Sequence, residues 1–172
     1  MKLQVGEYTF KTVHPDEFIV EHKLIPIFDK YKEITVDDYW PTEKEASDKQ
    51  FRDLIALCYP WFFACYDEKG NCGGYFYLCD WRNTYHSCAL HLCIDEKYHG
   101  KPIIKSIRHL YKILMKDFNI FRIEGCLPVY NKKGIAFAKL CGATIEGIQR
   151  GASIKNGKPL DYVTYAKIQG DK

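Results

Sequence analysis

The first part of the chain alternates apolar and polar residues and then changes to a helical spacing. Residues 1–12 show the alternation and predict a short opening strand. A helix is expected to start at Pro15 and to bend or end at Pro26, because proline lacks the N–H that a helix interior needs. The apolar residues of this helix are Phe18, Ile19, Leu24, Ile25 and Phe28.

A second helix is predicted behind residues 42–45 (Thr-Glu-Lys-Glu), whose order is that of a capping box. The residues behind this box carry apolar side chains at i, i+3, i+4 and i+7, the spacing of one helix face. These apolar residues are Phe51, Leu54, Ile55 and Cys58.

The middle of the chain is rich in aromatic residues and predicts strands. Residues 61–66 and 72–79 flank a hairpin turn at 67–71, and a second turn is expected at 80–84. A third strand is predicted over 86–94. Its two faces carry Leu90, Leu92 and Ile94 on one side and Ala89, His91 and Cys93 on the other.

The last part of the chain begins with the strongest helical pattern. Residues 103–118 form an apolar stripe, and a strand at 121–127 follows. Strand, helix and strand at this spacing predict a right-handed crossover with parallel pairing. Asn131 is expected to cap a further helix that Gly142 ends. An Asn-Gly turn at 156–157 then predicts a closing hairpin over 144–168.

These elements predict one mixed α+β domain over residues 1–172. Residues 1–59 are expected to supply a strand and helices, and residues 60–168 a strand-rich core with two helices. We found no internal repeat, low-complexity segment or linker in the pattern.

Composition narrows the classes of function. The formal net charge is +3 and the hydrophobic fraction 47%, so the chain lacks both the composition of a disordered protein and the basic excess of a nucleic-acid binder. It opens without a signal peptide and has no apolar run of the roughly 20 residues that a membrane span needs. We therefore expect a cytoplasmic protein that binds neither nucleic acid nor membrane.

The eight cysteines raise the possibility of a metal site or disulfides. Four of them, Cys58, Cys65, Cys72 and Cys79, recur at intervals of seven, but the chain contains no CxxC pair. Most cysteines lie in apolar runs. We expect no metal site and a role for these residues as small core hydrophobes.

Residues 98–104 (Tyr-His-Gly-Lys-Pro-Ile-Ile) lie between the third predicted strand and the strongest helix. A turn that leads into a helix N-terminus favours phosphate binding, because its N–H groups and the helix dipole attract anions. Pro102 and Ile104 stand where a phosphate-binding turn favours glycine. Proline is also favoured in the first turn of a helix for structural reasons alone, so both interpretations remain open.

The order of elements resembles the GCN5-related N-acetyltransferase (GNAT) superfamily over roughly residues 60–168. Residues 142–147 (Gly-Ala-Thr-Ile-Glu-Gly), together with Asn131 and Arg150, are similar to the RimJ/RimL branch, although Ala143 replaces the expected Phe. The resemblance implies a mixed, mostly antiparallel sheet with a central parallel pair, flanked by about four helices.

The resemblance also implies acetyl transfer from acetyl-CoA to an amine. In the family's pyrophosphate loop, His99 takes the place of an Arg, Gly100 and Lys101 match, and Pro102 and Ile104 replace small residues. Proline cannot donate to a phosphate, and Ile104 adds bulk where the family backbone approaches the ligand. The cofactor-binding positions implied in this way are Leu92, Ile94, His99, Gly100, Lys101 and Asn131.

The catalytic positions give a weaker pattern. Many family members carry a Tyr as general acid where this chain has Ala138. The candidates for a general base toward the amine are His91, Asp95 and Glu96. A packed histidine and a solvated strand end are the structural alternatives for these residues.

The whole chain also resembles small GNAT-like head assembly proteins of short-tailed lambdoid phages. That resemblance, with the altered loop, leads to the expectation of a non-catalytic virion assembly factor that works with internal ejection proteins. Trp40, Trp61 and Trp81 are its candidate contact residues. The alternative is an acetyl-CoA-dependent N-acetyltransferase that acts on a protein N-terminus or a small amine.

Overall fold

The computed structural model describes residues 1–17, 20–31, 48–82 and 86–171. Eight strands form one sheet in the order β1-β2-β3-β4-β5-β6-β8-β7. The strands are β1 Lys2–Val5, β2 Tyr8–Thr12, β3 Phe62–Tyr66, β4 Cys72–Arg82, β5 Ser87–Ile94, β6 Arg122–Pro128, β7 Thr144–Lys155 and β8 Lys158–Ile168. Among the pairs whose register is described, β5–β6 is parallel and the others are antiparallel.

The described part of the chain contains four α-helices. The first, α1, covers residues 25–31 and continues from a π-helical turn at Val20–Leu24. The others are α2 Asp48–Cys58, α3 Lys101–Asp117 and α4 Lys132–Leu140, and a 3₁₀ turn lies at Glu96–Tyr98. The expected mixed α+β fold, with a mostly antiparallel sheet, a parallel pair and about four helices, is confirmed.

The N-terminal region differs from the sequence prediction in three ways. Pro15, the predicted start of the first helix, lies in a turn, and helical structure is described from Val20. The single opening strand is a hairpin, because Gly6 turns the chain at φ 61° between β1 and β2. Helical structure continues past Pro26, which lies just after the π-helical turn Val20–Leu24 passes into α1. Phe18, Ile19 and the capping box at 42–45 lie outside the described residues.

The predicted turn at 80–84 is also shifted, because β4 continues to Arg82. Residues 83–85 lie outside the described part of the chain. The parallel β5–β6 pairing covers three residue pairs, from Ser87 with Arg122 to Ala89 with Glu124. Both strands continue beyond these pairs, β5 to Ile94 and β6 to Pro128.

The structure divides into two compact units, of which the first contains residues 1–78 and 91–103. Its core is aromatic: the rings of Phe28 and Phe51 stack at 4.5 Å, and those of Phe63 and Phe76 at 4.7 Å. Such rings bury large apolar areas and dominate core energetics. The helix face predicted for α2 is confirmed as buried at Phe51, Leu54, Ile55 and Cys58.

The second unit contains residues 79–90 and 104–172. The apolar stripe of α3 supplies Ile107, Leu110 and Leu114 to its core, all at most 1% exposed. The closing hairpin is confirmed, with β7 and β8 paired up to Lys155 and Lys158 around the Asn-Gly turn. The expectation that residues 1–172 act as one domain stays a prediction.

All eight cysteines are free, and five of them are buried. Burial raises the pKa of Cys88, Cys93 and Cys141 to about 12, so these thiols stay protonated at neutral pH. No cluster of metal-ligating side chains occurs within the described residues. In the same part of the chain, no helix combines the length and apolar composition required to cross a membrane.

Candidate functional site

The turn that the sequence singled out joins β5 to α3 in the first unit. Strand β5 ends at Ile94, the 3₁₀ turn follows, and α3 starts at Lys101, two residues earlier than predicted. Asp95 caps the 3₁₀ turn, because its Oδ1 accepts a hydrogen bond from the Lys97 N–H at 3.1 Å. Gly100 has φ 151°, a conformation that side chains rarely adopt. The turn is therefore a defined structure that depends on one carboxylate and one glycine.

The N-terminus of α3 has backbone donors without a partner inside the helix. The first four N–H positions of an α-helix have no partner within the helix. In α3 these positions are Gly100, Lys101, Pro102 and Ile103, and Pro102 has no N–H. A Cβ placed at Gly100 would meet only the Pro102 Cδ, at 3.7 Å, so the space beside this glycine is open. This helix end therefore offers a pyrophosphate three N–H donors, the helix dipole and the exposed Lys101 ammonium. The fourth donor is missing because of Pro102.

His99 binds the end of the preceding strand. Its Nε2 lies 3.0 Å from the carbonyl oxygen of Ile94. Because a carbonyl only accepts, Nε2 carries the proton in this arrangement. His99, at the position where the resembled superfamily carries an Arg, therefore fixes the turn to β5.

Two of the three candidate bases share an ion pair with a lysine that the sequence did not reveal. Lys30 Nζ of α1 lies 3.5 Å from Asp95 Oδ1 and 3.1 Å from Glu96 Oε1. The Tyr31 hydroxyl, one residue on, accepts from the Glu96 N–H at 2.9 Å. Hydrogen bonds that the Lys30 ammonium donates to Tyr31 and Glu96 raise the pKa of Lys30. Asp95 and Glu96 thus anchor the turn to α1, about 65 residues away in sequence.

The third candidate base, His91, has a different environment. Its ring is half-buried and stacks on Tyr77 of β4, with centroids 4.8 Å apart and planes 8° apart. Leu92, next along β5, is half-buried and Ile94 is buried. His91 takes no part in the ion pairs that Lys30 makes with Asp95 and Glu96. Stacking on Tyr77 holds its ring in one orientation.

Two adjacent glycines of β4, Gly73 and Gly74, allow this strand to lie close to the end of β5 and to the turn that follows it. A Cβ at Gly74 would lie 2.2 Å from the Cys93 carbonyl oxygen, and one at Gly73 would lie 2.8 Å from the Tyr98 ring. The Gly73 carbonyl accepts from the Asp95 N–H at 2.8 Å, and the β3–β4 register shifts at this point. Adjacent glycines inside a strand pattern are a sequence signal for such an approach.

Tyr98 packs toward the β3–β4 end of the first unit. Its ring lies edge-on to Tyr8 with centroids 6.4 Å apart, and its hydroxyl lies 3.4 Å from Asp67 Oδ2. Burial, with the negative charge of Asp67, raises the pKa of Tyr98 to about 12. The phenol therefore remains protonated and structural at neutral pH.

Asn131 and Ala138 lie on α4 in the second unit. Asn131 Oδ1 accepts from the Gly134 N–H at 2.9 Å and caps the helix, as predicted. Gly142 follows the helix with φ 92°, which confirms the predicted stop. Ala138 is buried at 4% exposure and offers no hydroxyl.

The candidate contact tryptophans differ in exposure. Trp81 is 40% exposed and Trp61 is half-buried. Trp40 lies outside the described residues.

With this geometry established, comparisons place the chain among known proteins. A family model described as an acetyltransferase (GNAT) domain matches residues 21–164. A comparison with curated protein sequences finds no significant match.

Three solved structures illustrate the similarity of fold. A RimL ribosomal L7/L12 alpha-N-protein acetyltransferase in complex with coenzyme A is 18% identical, with a TM-score of 0.81 and 100% of both chains covered. The ribosomal-protein-S5-alanine acetyltransferase from Vibrio fischeri is 15% identical, with a TM-score of 0.75 and coverage of 99% of this chain and 98% of the other. The spermidine N-acetyltransferase from Vibrio cholerae, with CoA and spermine, is 18% identical, with a TM-score of 0.75 and coverage of 96% and 97%.

These findings correct the functional expectation. The sequence interpretation favoured a non-catalytic phage head assembly factor that works with ejection proteins, and this interpretation is wrong. The matching family model and the three structures above are those of acetyltransferases. The sequence argument gave too much weight to Pro102 and Ile104 and to a whole-chain resemblance without a diagnostic motif.

Proposed function

The chain belongs to the GNAT acetyltransferase family, and from that premise we propose that it transfers the acetyl group of acetyl-CoA to a primary amine. The observation that carries the proposal is the match of the family model over residues 21–164, a range that includes the whole β5–α3 turn. The N-terminus of α3 supports it, because N–H groups without a partner inside the helix suit the pyrophosphate of CoA.

The turn and strand β5 would together hold the cofactor in three ways. The N–H groups of Gly100, Lys101 and Ile103 would donate to phosphate oxygens, and the Lys101 ammonium would add a positive charge. The backbone of β5 at Leu92 and Ile94 would bind the pantetheine arm by hydrogen bonds. Acetyl-CoA, when bound, supplies a thioester whose carbonyl carbon is open to attack by an amine.

His99 would contribute differently from the sequence expectation. It would act by holding the turn, since its Nε2 donates to the Ile94 carbonyl. Asn131, in the second unit, uses its Oδ1 as a helix cap, and a role toward the cofactor stays a prediction.

We assign the general base to His91. An amine must lose its proton before it attacks a carbonyl carbon, and a neutral imidazole accepts that proton near neutral pH. The stacked Tyr77 ring fixes the orientation of the His91 ring. Asp95 and Glu96 serve as positioning residues, because Lys30 pairs with both.

The acceptor class is a primary amine of a protein N-terminus or of a small polyamine. The three acetyltransferases named above include, by their names, both kinds of acceptor. Both kinds present an amine that must be neutral to react, which is the task assigned to His91.

Release of free CoA thiol in the presence of acetyl-CoA tests the proposal. The acceptors are peptides with a free N-terminus, the same peptides with a blocked N-terminus, and spermidine. We expect thiol release that depends on one acceptor, that is absent with the blocked peptides, and that leaves the acceptor heavier by one acetyl group. Thiol release at the same rate without any amine, or no release with every acceptor, would overturn it.

A further inference from the structure

The second unit carries a cleft that the proposed acetyl-transfer site does not use. Its volume is about 630 Å³, within the range of roughly 300–1,000 Å³ typical of ligand clefts. One wall is α3 and the other is the segment that ends β8 and continues to Asp171. The floor is apolar and made by Tyr111, Met115 and Cys141, which are all buried.

Four cations surround this cleft. Arg108, Lys112 and Lys116 follow one another on α3, and Lys167 stands on β8. At 3.6 residues per turn, the three α3 cations fall within an arc of about 80° over about 12 Å. All three are exposed, and Lys105 continues the same face one turn earlier.

The cleft holds more positive charge than its own groups neutralise. Asp171 is the acidic residue in its lining, and the Asp171 Oδ2 already accepts from the Ile168 N–H at 2.9 Å. Arg108 Nε donates to the Leu140 carbonyl at 2.8 Å, which fixes that guanidinium at the rim. Lys112 and Lys116 form no ion pair with a described residue. Four cations against one carboxylate leave a local charge of +3, equal to the net charge of the whole chain.

We propose that this cleft is a docking site for an acidic peptide segment of a partner protein, with carboxylates on the rim and an apolar side chain on the floor. An apolar floor between rows of cations matches a segment that alternates acidic and apolar residues. A nucleic acid fits less well, because single strands bind by stacking on exposed aromatic rings. The aromatic residue of the lining, Tyr111, is 4% exposed.

Fluorescence anisotropy with a short labelled peptide that alternates glutamate and leucine tests the site in the full chain. The variant is K112E/K116E, which inverts the charges of Lys112 and Lys116. The matched control is K132E/K133E, which makes the same change in charge at two exposed lysines of α4, in the same unit. Circular dichroism confirms that both variants are folded.

We expect the peptide to bind the wild type and K132E/K133E within twofold of each other. K112E/K116E should bind it weaker by on the order of tenfold, since the two ion pairs are lost and charge reversal adds repulsion. The loss should shrink at high salt, because the Debye length falls below about 8 Å.

Four outcomes would overturn the proposal. They are no binding to the wild type at low salt, equal weakening in both variants, equal binding of a peptide with glutamine in place of glutamate, and tighter binding of an oligothymidine. The proposal does not depend on acetyl transfer, so an inactive chain that still binds the peptide leaves this site intact.

Discussion

Replacing Pro102 with alanine tests how the α3 N-terminus binds its ligand. Pro102 is the second residue of α3 and lacks the N–H that other residues present at this position. P102A restores that donor. A hydrogen bond to a charged group contributes about 1.5–3 kcal/mol, so acetyl-CoA should bind P102A about ten- to hundredfold more tightly than the wild type.

The same change should lower the stability of the free protein. Proline at a compatible position stabilises a fold by about 0.4–1 kcal/mol through the unfolded state, so P102A should lose that amount. Affinity and stability therefore move in opposite directions, which separates a new donor from a general improvement of the fold. Calorimetric titration with acetyl-CoA measures the first quantity, and urea unfolding measures the second.

Pro26 supplies the control, because it is an exposed proline of another helix, α1. P26A should leave the affinity for acetyl-CoA within twofold. Equal affinity of P102A and the wild type would refute the assignment of the α3 N-terminus to the pyrophosphate, as would an equal gain of affinity in P26A.

Three further predictions follow from other parts of the structure. H91Q should lower kcat about 10²- to 10⁴-fold with little change in the KM for acetyl-CoA. H109Q, at an exposed position of α3, should leave both constants unchanged. Steady-state thiol release checks this, and a kcat of H91Q within twofold of the wild type would show that His91 is not the base. G74A should lower the free energy of unfolding by about 1–3 kcal/mol, because its Cβ would meet the Cys93 carbonyl at 2.2 Å. In the control G147A the new Cβ would meet only Thr164, at 4.0 Å, so the free energy of unfolding should change by less than about 0.5 kcal/mol. Similar urea midpoints for G74A and G147A would contradict the packing argument. R122Q should lose about 0.5–1 kcal/mol at pH 7, because Arg122 donates to both carboxylate oxygens of Glu146 and lowers the pKa of that carboxyl. Since the folded-state pKa of Glu146 is depressed, this stabilisation is present above its ordinary pKa and is lost as pH falls through the lower value, so the deficit relative to the wild type should shrink below about pH 4. Unfolding measured across pH checks it against R150Q, an exposed arginine of β7, and a deficit that stays constant down to pH 2 would contradict the pairing.

The elements that the sequence predicted correctly have strong local signals. The stripe of α3 repeats over four turns, and Asn131 and Gly142 mark the two ends of α4 by their own chemistry. The Asn-Gly turn fixes the β7–β8 hairpin in the same way. The opening hairpin was missed, because Gly6-Glu7 interrupts the alternation without a strong turn signal.

The candidate site was harder to predict, because its contacts join distant residues. The turn itself was located, since it lies between a strand and a helix with clear patterns. Lys30 was not found, because nothing local to α1 indicates that it pairs with Asp95 and Glu96. Gly73 and Gly74 did carry a local signal, but their role depends on Tyr98 and Cys93, which the fold brings to them.

The functional error has a physical explanation. Pro102 removes one donor of four at a helix N-terminus, and the sequence argument treated that loss as the loss of the site. The structure leaves three N–H groups, the helix dipole and a lysine at the same place. A missing hydrogen bond lowers affinity by about one to two decades, which weakens a binding site without removing it.

Transfer of an isotope-labelled acetyl group tests the central claim most directly. The wild-type chain is mixed with labelled acetyl-CoA and the amine acceptors, and the acceptor masses are followed by mass spectrometry. The account predicts one labelled acetyl group on a primary amine, at a rate that falls in H91Q and persists in H109Q. A complete absence of label on every amine, with no calorimetric binding of acetyl-CoA at millimolar concentration, would contradict it.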